Sequence, residues 1–126
     1  MIAKNLDELL VYQKALTGSK AISALLNCPG LCKDFKLRHQ LSDASDSTCS
    51  NISEGFGQQS DRKFAQYLYI ARGSANEVRT RLGIARERGY ITSEHFTETT
   101  AVFEAVGKMS TRLIQYLERS NRRRRG

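Results

Sequence analysis

Five arginines stand out by their spacing. Arg72, Arg79 and Arg86 recur every seven residues, and Arg81 and Arg88 repeat that interval two positions further along. On a helix seven residues make about two turns, so each set forms a column, one on either side of the same stretch. Such columns can hold phosphates, because each guanidinium offers a planar fork of donors to an anion. The same residues have a structural use: Arg stems cover apolar surface, and their heads pair with acids of adjacent helices or subunits. Spacing alone leaves both readings open. A second basic feature is the segment 119–126, which holds Arg119, Arg122, Arg123, Arg124 and Arg125 and no acid. It suits phosphate contacts without sequence preference, since free Arg-rich segments commonly order only on binding RNA. The plain alternative is a solubilising end.

Other chemistries find less support. Gly55-Phe56-Gly57 invites comparison with phosphate-cradling glycine motifs, but those follow a β-strand and open onto a helix, whereas a helix precedes this one. A turn between antiparallel helices accounts for both glycines. Cys28 and Cys32, with Cys49, His39 and His95 at a distance, lack the paired short spacings of a zinc site. Neither histidine has a nucleophile motif beside it, and Glu54, Glu77 and Glu87 are scattered along helices, Glu77 with Arg81 at i+4 as in a helix salt bridge. No catalytic residue, metal or cofactor is expected.

The elements that must position these groups are helical. A chain of 126 residues is about one domain, and with one proline and no tryptophan it has few helix breakers. Hydrophobic residues at 40% and charged residues at 26% are ordinary for a packed core. A first helix is predicted over 7–27, capped by Asp7, with Leu10, Leu16, Ile22, Leu25 and Leu26 inward and Gly18 as its weak point; Asn27-Cys28-Pro29-Gly30 ends it. Asp34 opens a second, with Leu37, Leu41, Ala44, Thr48 and Ile52 on one face. Ser60 caps a third, whose seam Phe64, Leu68, Ala71, Ala75, Val78, Leu82 and Ala85 alternates spacings of four and three. After Gly89, Thr92 or Ser93 caps a fourth carrying Phe96, Phe103, Val106, Met109, Leu113 and Leu117. The expectation is an all-α, up-down-up-down four-helix bundle over 1–118, followed by a short disordered basic tail over 119–126.

The formal charge of +7 comes from 20 Lys and Arg against 13 Asp and Glu. Residues 1–118 hold 15 bases and 13 acids, or +2, so most of the excess is the tail. No apolar run approaches the roughly 20 residues that span a bilayer. Met1 to Glu8 lacks the basic-then-apolar order of a signal peptide. Three cysteines are an odd number, which favours free thiols. A cytoplasmic protein without a membrane partner is expected.

Several segments together resemble one family. They are Leu9-Leu10-Val11-Tyr12-Gln13-Lys14-Ala15, Gln40-Leu41, Asn51-Ile52-Ser53-Glu54-Gly55-Phe56-Gly57, Ala71-Arg72-Gly73-Ser74-Ala75-Asn76-Glu77-Val78, Gly89-Tyr90-Ile91 and Lys108-Met109. The chain resembles the bacterial four-helix bundle family of proteins encoded within intervening sequences of 23S ribosomal RNA genes. That family is related in fold to the accessory variability determinant of diversity-generating retroelements. Its motif positions fall here on Asn51, Glu54, Gly55, Gly57, Gly73, Ser74 and Glu77. Ser42-Asp43 stands where the family usually has a basic pair, and Lys63 where it usually has an acid after the Ser60 cap, so a reciprocal capping box is missing. The resemblance implies a homopentamer with a basic surface and, in the retroelement branch, binding to a reverse transcriptase and RNA. It does not imply catalysis. The reading that follows is a non-catalytic oligomeric bundle that binds nucleic acid, RNA in the first instance, through Arg72, Arg79, Arg81, Arg86, Arg88 and the tail. Its rival is an interaction scaffold whose arginines are buried at subunit or partner interfaces.

Overall fold

The computed structural model describes residues 2–125; Met1 and Gly126 lie outside the described residues, and Arg125 is described in its backbone only. Four helices follow in order: α1, Leu10–Leu25; α2, Phe35–Phe56; α3, Asp61–Glu87; and α4, Ser93–Arg125. Each packs on the next, and α1 also packs on α4, which closes the ring of an up-down-up-down bundle. Among the described residues no helix is long and apolar enough to cross a membrane.

The seams of α2 and α3 bury the residues their spacing singles out, and Phe64, Leu68, Ala71, Ala75, Val78, Leu82 and Ala85 all lie in the core. Three caps also stand where their chemistry puts them. Asp34 accepts from the Leu37 N–H, Ser60 from that of Lys63, and Thr92, rather than Ser93, from that of His95. Gly89 is the one described residue with a positive φ, 74°, and it turns the chain from α3 into α4.

Three expectations need correction. Asp7 does not cap α1: Asn5 caps a short 3-10 turn, Leu6–Glu8, and α1 starts after Leu9 without a side-chain cap. The buried face of α1 is Val11, Ala15, Gly18, Ile22 and Leu25, while Leu10 and Leu16 are exposed. Gly18 is therefore a packing residue, because a Cβ there would lie 2.7 Å from Cζ of the Phe103 ring. The third correction is the tail, which continues α4 as helix to Arg125 instead of being disordered. Between Gly107 and Gly126 the sequence has no glycine or proline to stop the helix. Arginine is a good helix former and its cation favours a helix C-terminus. Arg124 also reaches Asp61 at the start of α3, 3.7 Å away.

At the opposite end of the bundle Asp34 does more than cap. Its Oδ2 accepts from Arg88 Nη1 at 2.7 Å and from the Tyr90 hydroxyl at 2.9 Å, tying the start of α2 to the α3–α4 turn. Gly30 makes room for the Tyr90 ring, which a Cβ there would strike. The Tyr90 hydrogen bond holds the Asp34 carboxyl below its ordinary range and lifts the Tyr90 phenol above its own. A depressed acid stabilises the fold above its unfolded value, and a raised phenol stabilises it below its own. The clasp should therefore act fully between about pH 4 and pH 10 and weaken beyond either limit. In Asp34→Asn, thermal melting followed across pH should lose part of the fall in stability seen below about pH 4 in the unaltered chain. An unchanged acid limb would remove Asp34 from that role.

Candidate functional site

The α3 arginines divide between two surfaces, because α3 itself stands between the columns. Arg81 and Arg88 face α2, where with Lys36, Gln40 and Ile84 they line a cleft of about 140 Å³. Both heads have partners inside the chain: Arg88 reaches Asp34 at 2.7 Å and Arg81 reaches Glu77 at 3.7 Å. Arg86 lies on the α4 side but is spent on Phe96, its guanidinium carbon 3.8 Å from the ring centroid.

Arg72 and Arg79 remain, and they face something the α3 pattern does not reveal. They form one wall of a groove of about 700 Å³ whose other wall is α4, with Lys108, Arg112, Thr111 and Glu104. Arg72 Nη1 donates to Thr111 Oγ1 at 3.1 Å, and its guanidinium carbon is 4.9 Å from the centroid of the Tyr69 ring. Arg79 reaches Glu104 only at 3.9 Å, and its Nε, like that of Arg81 on the α2 side, is shielded from solvent without a partner among the described residues. A second groove of about 350 Å³ adjoins the first at Tyr69 and is lined by Arg62, Gln66, Glu118, Asn121 and Arg122. The helical continuation of α4 thus brings Arg122 onto the same track. Arg119 and Arg123 are exposed on that helix, Arg124 pairs with Asp61, and the Arg125 side chain lies outside the described residues.

The charge of this track is its main property. The residues of 1–118 that line it contribute five cations, Arg62, Arg72, Arg79, Lys108 and Arg112, and two carboxylates, Glu104 and Glu118. That is +3 within a stretch whose total is +2, so the rest of the bundle is close to neutral and slightly acidic. Arg62, Lys108, Arg112 and Tyr69 are missed by reading seams alone. The signal for two of them was the i, i+4 pair Lys108 and Arg112 on the polar face of α4.

The motif residues have mostly structural employment. Asn51 Nδ2 donates to the Ser47 carbonyl at 2.8 Å and to Ser47 Oγ at 3.1 Å, and Ser47 Oγ shares a 2.8 Å hydrogen bond with Ser74 Oγ. The two motif segments therefore meet across α2 and α3. Gly55 permits close approach of those helices, since a Cβ would lie 2.8 Å from Cβ of Tyr67. The turn between α2 and α3 therefore does not account for both glycines: Gly55 lies inside α2, and Gly57, which follows it, has an ordinary φ of −74°. Glu77 pairs with Arg81, Glu54 is exposed, and Gly73 opens onto the basic groove.

The groups with catalytic potential are dispersed. His39 pairs with Asp43 at 3.1 Å on the exposed face of α2, and Cys32 Sγ donates to the Pro29 carbonyl at 3.1 Å. Burial pushes the Cys49 thiol up, away from the thiolate a nucleophile needs. Among the described residues no group of three or more His, Cys, Asp or Glu could hold a metal ion.

Comparison with known proteins agrees with this architecture. The family model described as 23S rRNA-intervening sequence protein matches residues 7–112. The chain is similar to a crystal structure of a protein with unknown function from the S23 ribosomal protein family of Bacteroides thetaiotaomicron, at 26% identity and a TM-score of 0.76. The match covers 84% of this chain and 96% of that one. No curated protein matches.

Proposed function

Because the chain belongs to the 23S rRNA-intervening sequence protein family, we propose that it is a non-catalytic bundle that binds RNA through the basic track between α3 and α4. The observation that carries this reading is the concentration of charge. The bundle's positive excess lies along one concave surface, and α4 adds Arg122 to it. A polyanion follows such a track by replacing condensed counterions, so affinity needs no base readout. The rival use of the arginines, pairing with acids of other subunits, is met within the chain for Arg88 by a short pair with Asp34, whereas Arg81 and Arg79 make only long pairs with Glu77 and Glu104 and Arg72 has no carboxylate partner among the described residues. A labelled RNA titrated with the full chain should bind at low salt and be released as salt rises. Absence of binding at low ionic strength would overturn the reading.

Association of copies has separate support. On the α1 side of α4, Ile2, Leu9, Leu10, Val11, Met109, Leu113 and Tyr116 line a mainly apolar groove of about 380 Å³ together with Arg112, which also lines the basic track, and Leu10 is 66% exposed. An exposed apolar patch of this kind is what a homo-oligomer contact buries. This face is the one we propose for assembly, and it leaves the α3 wall of the basic track open. Leu10→Glu should lower the mass seen in sedimentation while helicity is retained; an unaltered oligomer would place the contact elsewhere.

A further inference from the structure

The basic track is a valley between two antiparallel helices, and its shape limits what can enter it. From Arg62 to Arg79 the valley runs about 26 Å along α3 at 1.5 Å per residue. Its walls are low at Gly73 and Gly107, where an added Cβ would meet nothing within 4 Å, so a strand can approach the helix backbones closely. Tyr69 belongs to both grooves and stands at their junction. Its ring is held at two points, by the 2.7 Å hydrogen bond from its hydroxyl to Glu118 Oε1 and by the Arg72 guanidinium beside it, yet 45% of the residue is exposed. A fixed, exposed aromatic ring between cations is a stacking platform that needs little ordering on binding.

A duplex makes poor use of this arrangement. Its bases are stacked inside, and the domains that recognise double-stranded RNA by shape spread their contacts over about 16 base pairs and two minor grooves. A concave valley of this length offers neither that span nor an element that projects into a groove. A single strand offers both things the valley can hold: phosphates for the cations on either wall, and unpaired bases for the ring. Resting on the RNA-binding reading above, we propose that the α3–α4 valley takes single-stranded RNA over about four or five nucleotides, with one base joining the Tyr69–Arg72 stack.

The test compares two probes, a labelled oligouridine of about 20 nucleotides and an RNA duplex of about 20 base pairs, long enough for the two-groove contacts a duplex reader makes, against the full chain at low salt. The oligouridine should bind at least about ten-fold more tightly. Tyr69→Leu should weaken the oligouridine by about five- to a hundred-fold and leave the duplex unchanged. Tyr69→Phe, which keeps the ring and loses the Glu118 hydrogen bond, should retain most of the affinity. A melting curve of each variant separates loss of the platform from loss of the fold. Equal binding of the two probes, or an unchanged oligouridine affinity in Tyr69→Leu, would overturn the single-strand inference while leaving the RNA-binding reading in place. Failure of both probes to bind would overturn both.

Discussion

Replacing Arg72, Arg79 and Arg112 together by glutamine should weaken RNA binding by on the order of 10²–10³-fold at low salt, with little change in melting temperature. Hydrogen bonds to a charged group are typically worth about 1.5–3 kcal/mol each, so three lost phosphate contacts give a loss of this order after partial compensation by water. The fold should tolerate the change. Arg72 gives up a hydrogen bond to Thr111 and Arg79 a long pair with Glu104, both at part-exposed positions where such pairs contribute little. The informative contrast is Arg81→Gln with Arg88→Gln. Those residues lie on the α2 side and already have carboxylate partners, so their loss should leave RNA affinity within about two-fold. Titration of one labelled RNA against both variants distinguishes the two surfaces. Equal losses would mean that charge in general, and not the α3–α4 valley, governs binding.

The largest effect on stability should come from Phe103→Ala. Phe103 is fully buried and lies over Gly18, where α1 comes close enough to α4 to leave no room for a Cβ. Truncation removes the ring from water-free surroundings and leaves a cavity that the rigid helix backbones cannot close. Substitutions of this kind cost about 3–5 kcal/mol. For a domain of this size that is a fall in melting midpoint of roughly 10–20 °C. Calorimetry or circular dichroism on the purified variant measures it directly. A fall of only a few degrees would mean that α1 can settle into the space, and that its packing on α4 is looser than the geometry indicates.

How far the sequence reveals this molecule depends on which forces decide each part. The α2 and α3 seams are legible because a run of correctly spaced apolar side chains has only one way to be buried. The caps at Asp34, Ser60 and Thr92 are legible because they are local chemistry. The phase of α1 is not. Leu10 and Leu16 outweigh Ala15 and Gly18 in hydrophobicity, yet the small pair is buried, since the Phe103 ring needs the space and lies far away in sequence. The helical tail is hidden for a related reason. Five arginines in eight residues suggest repulsion and disorder, whereas uninterrupted helix propensity and Asp61, brought alongside by the fold, extend α4.

The candidate site divides in the same way. The α3 arginines announce themselves by their interval, but the interval cannot say which have partners. Arg88 is claimed by Asp34, 54 positions earlier in the chain, and Arg86 by the ring of Phe96. The second wall of the valley comes from Lys108 and Arg112, which belong to no apolar seam, and Tyr69 acquires its fixed position from Glu118, 49 residues away. The motif segments around Asn51 and Ser74 turn out to be partners of one another through Ser47, a juxtaposition that only the packing of α2 on α3 creates. They hold the scaffold on which the valley is built.

The central claim is that a strand of RNA replaces counterions along the α3–α4 valley, and the salt dependence of binding tests it most directly. For a single strand, the slope of log affinity against log salt is about −0.7 per phosphate neutralised. With about four or five phosphates in the valley the unaltered chain should give a slope near about −3, and the Arg72, Arg79 and Arg112 triple variant should be shallower by about 2. A slope that is the same in both proteins would contradict the account, because it would show that the phosphates are held somewhere else.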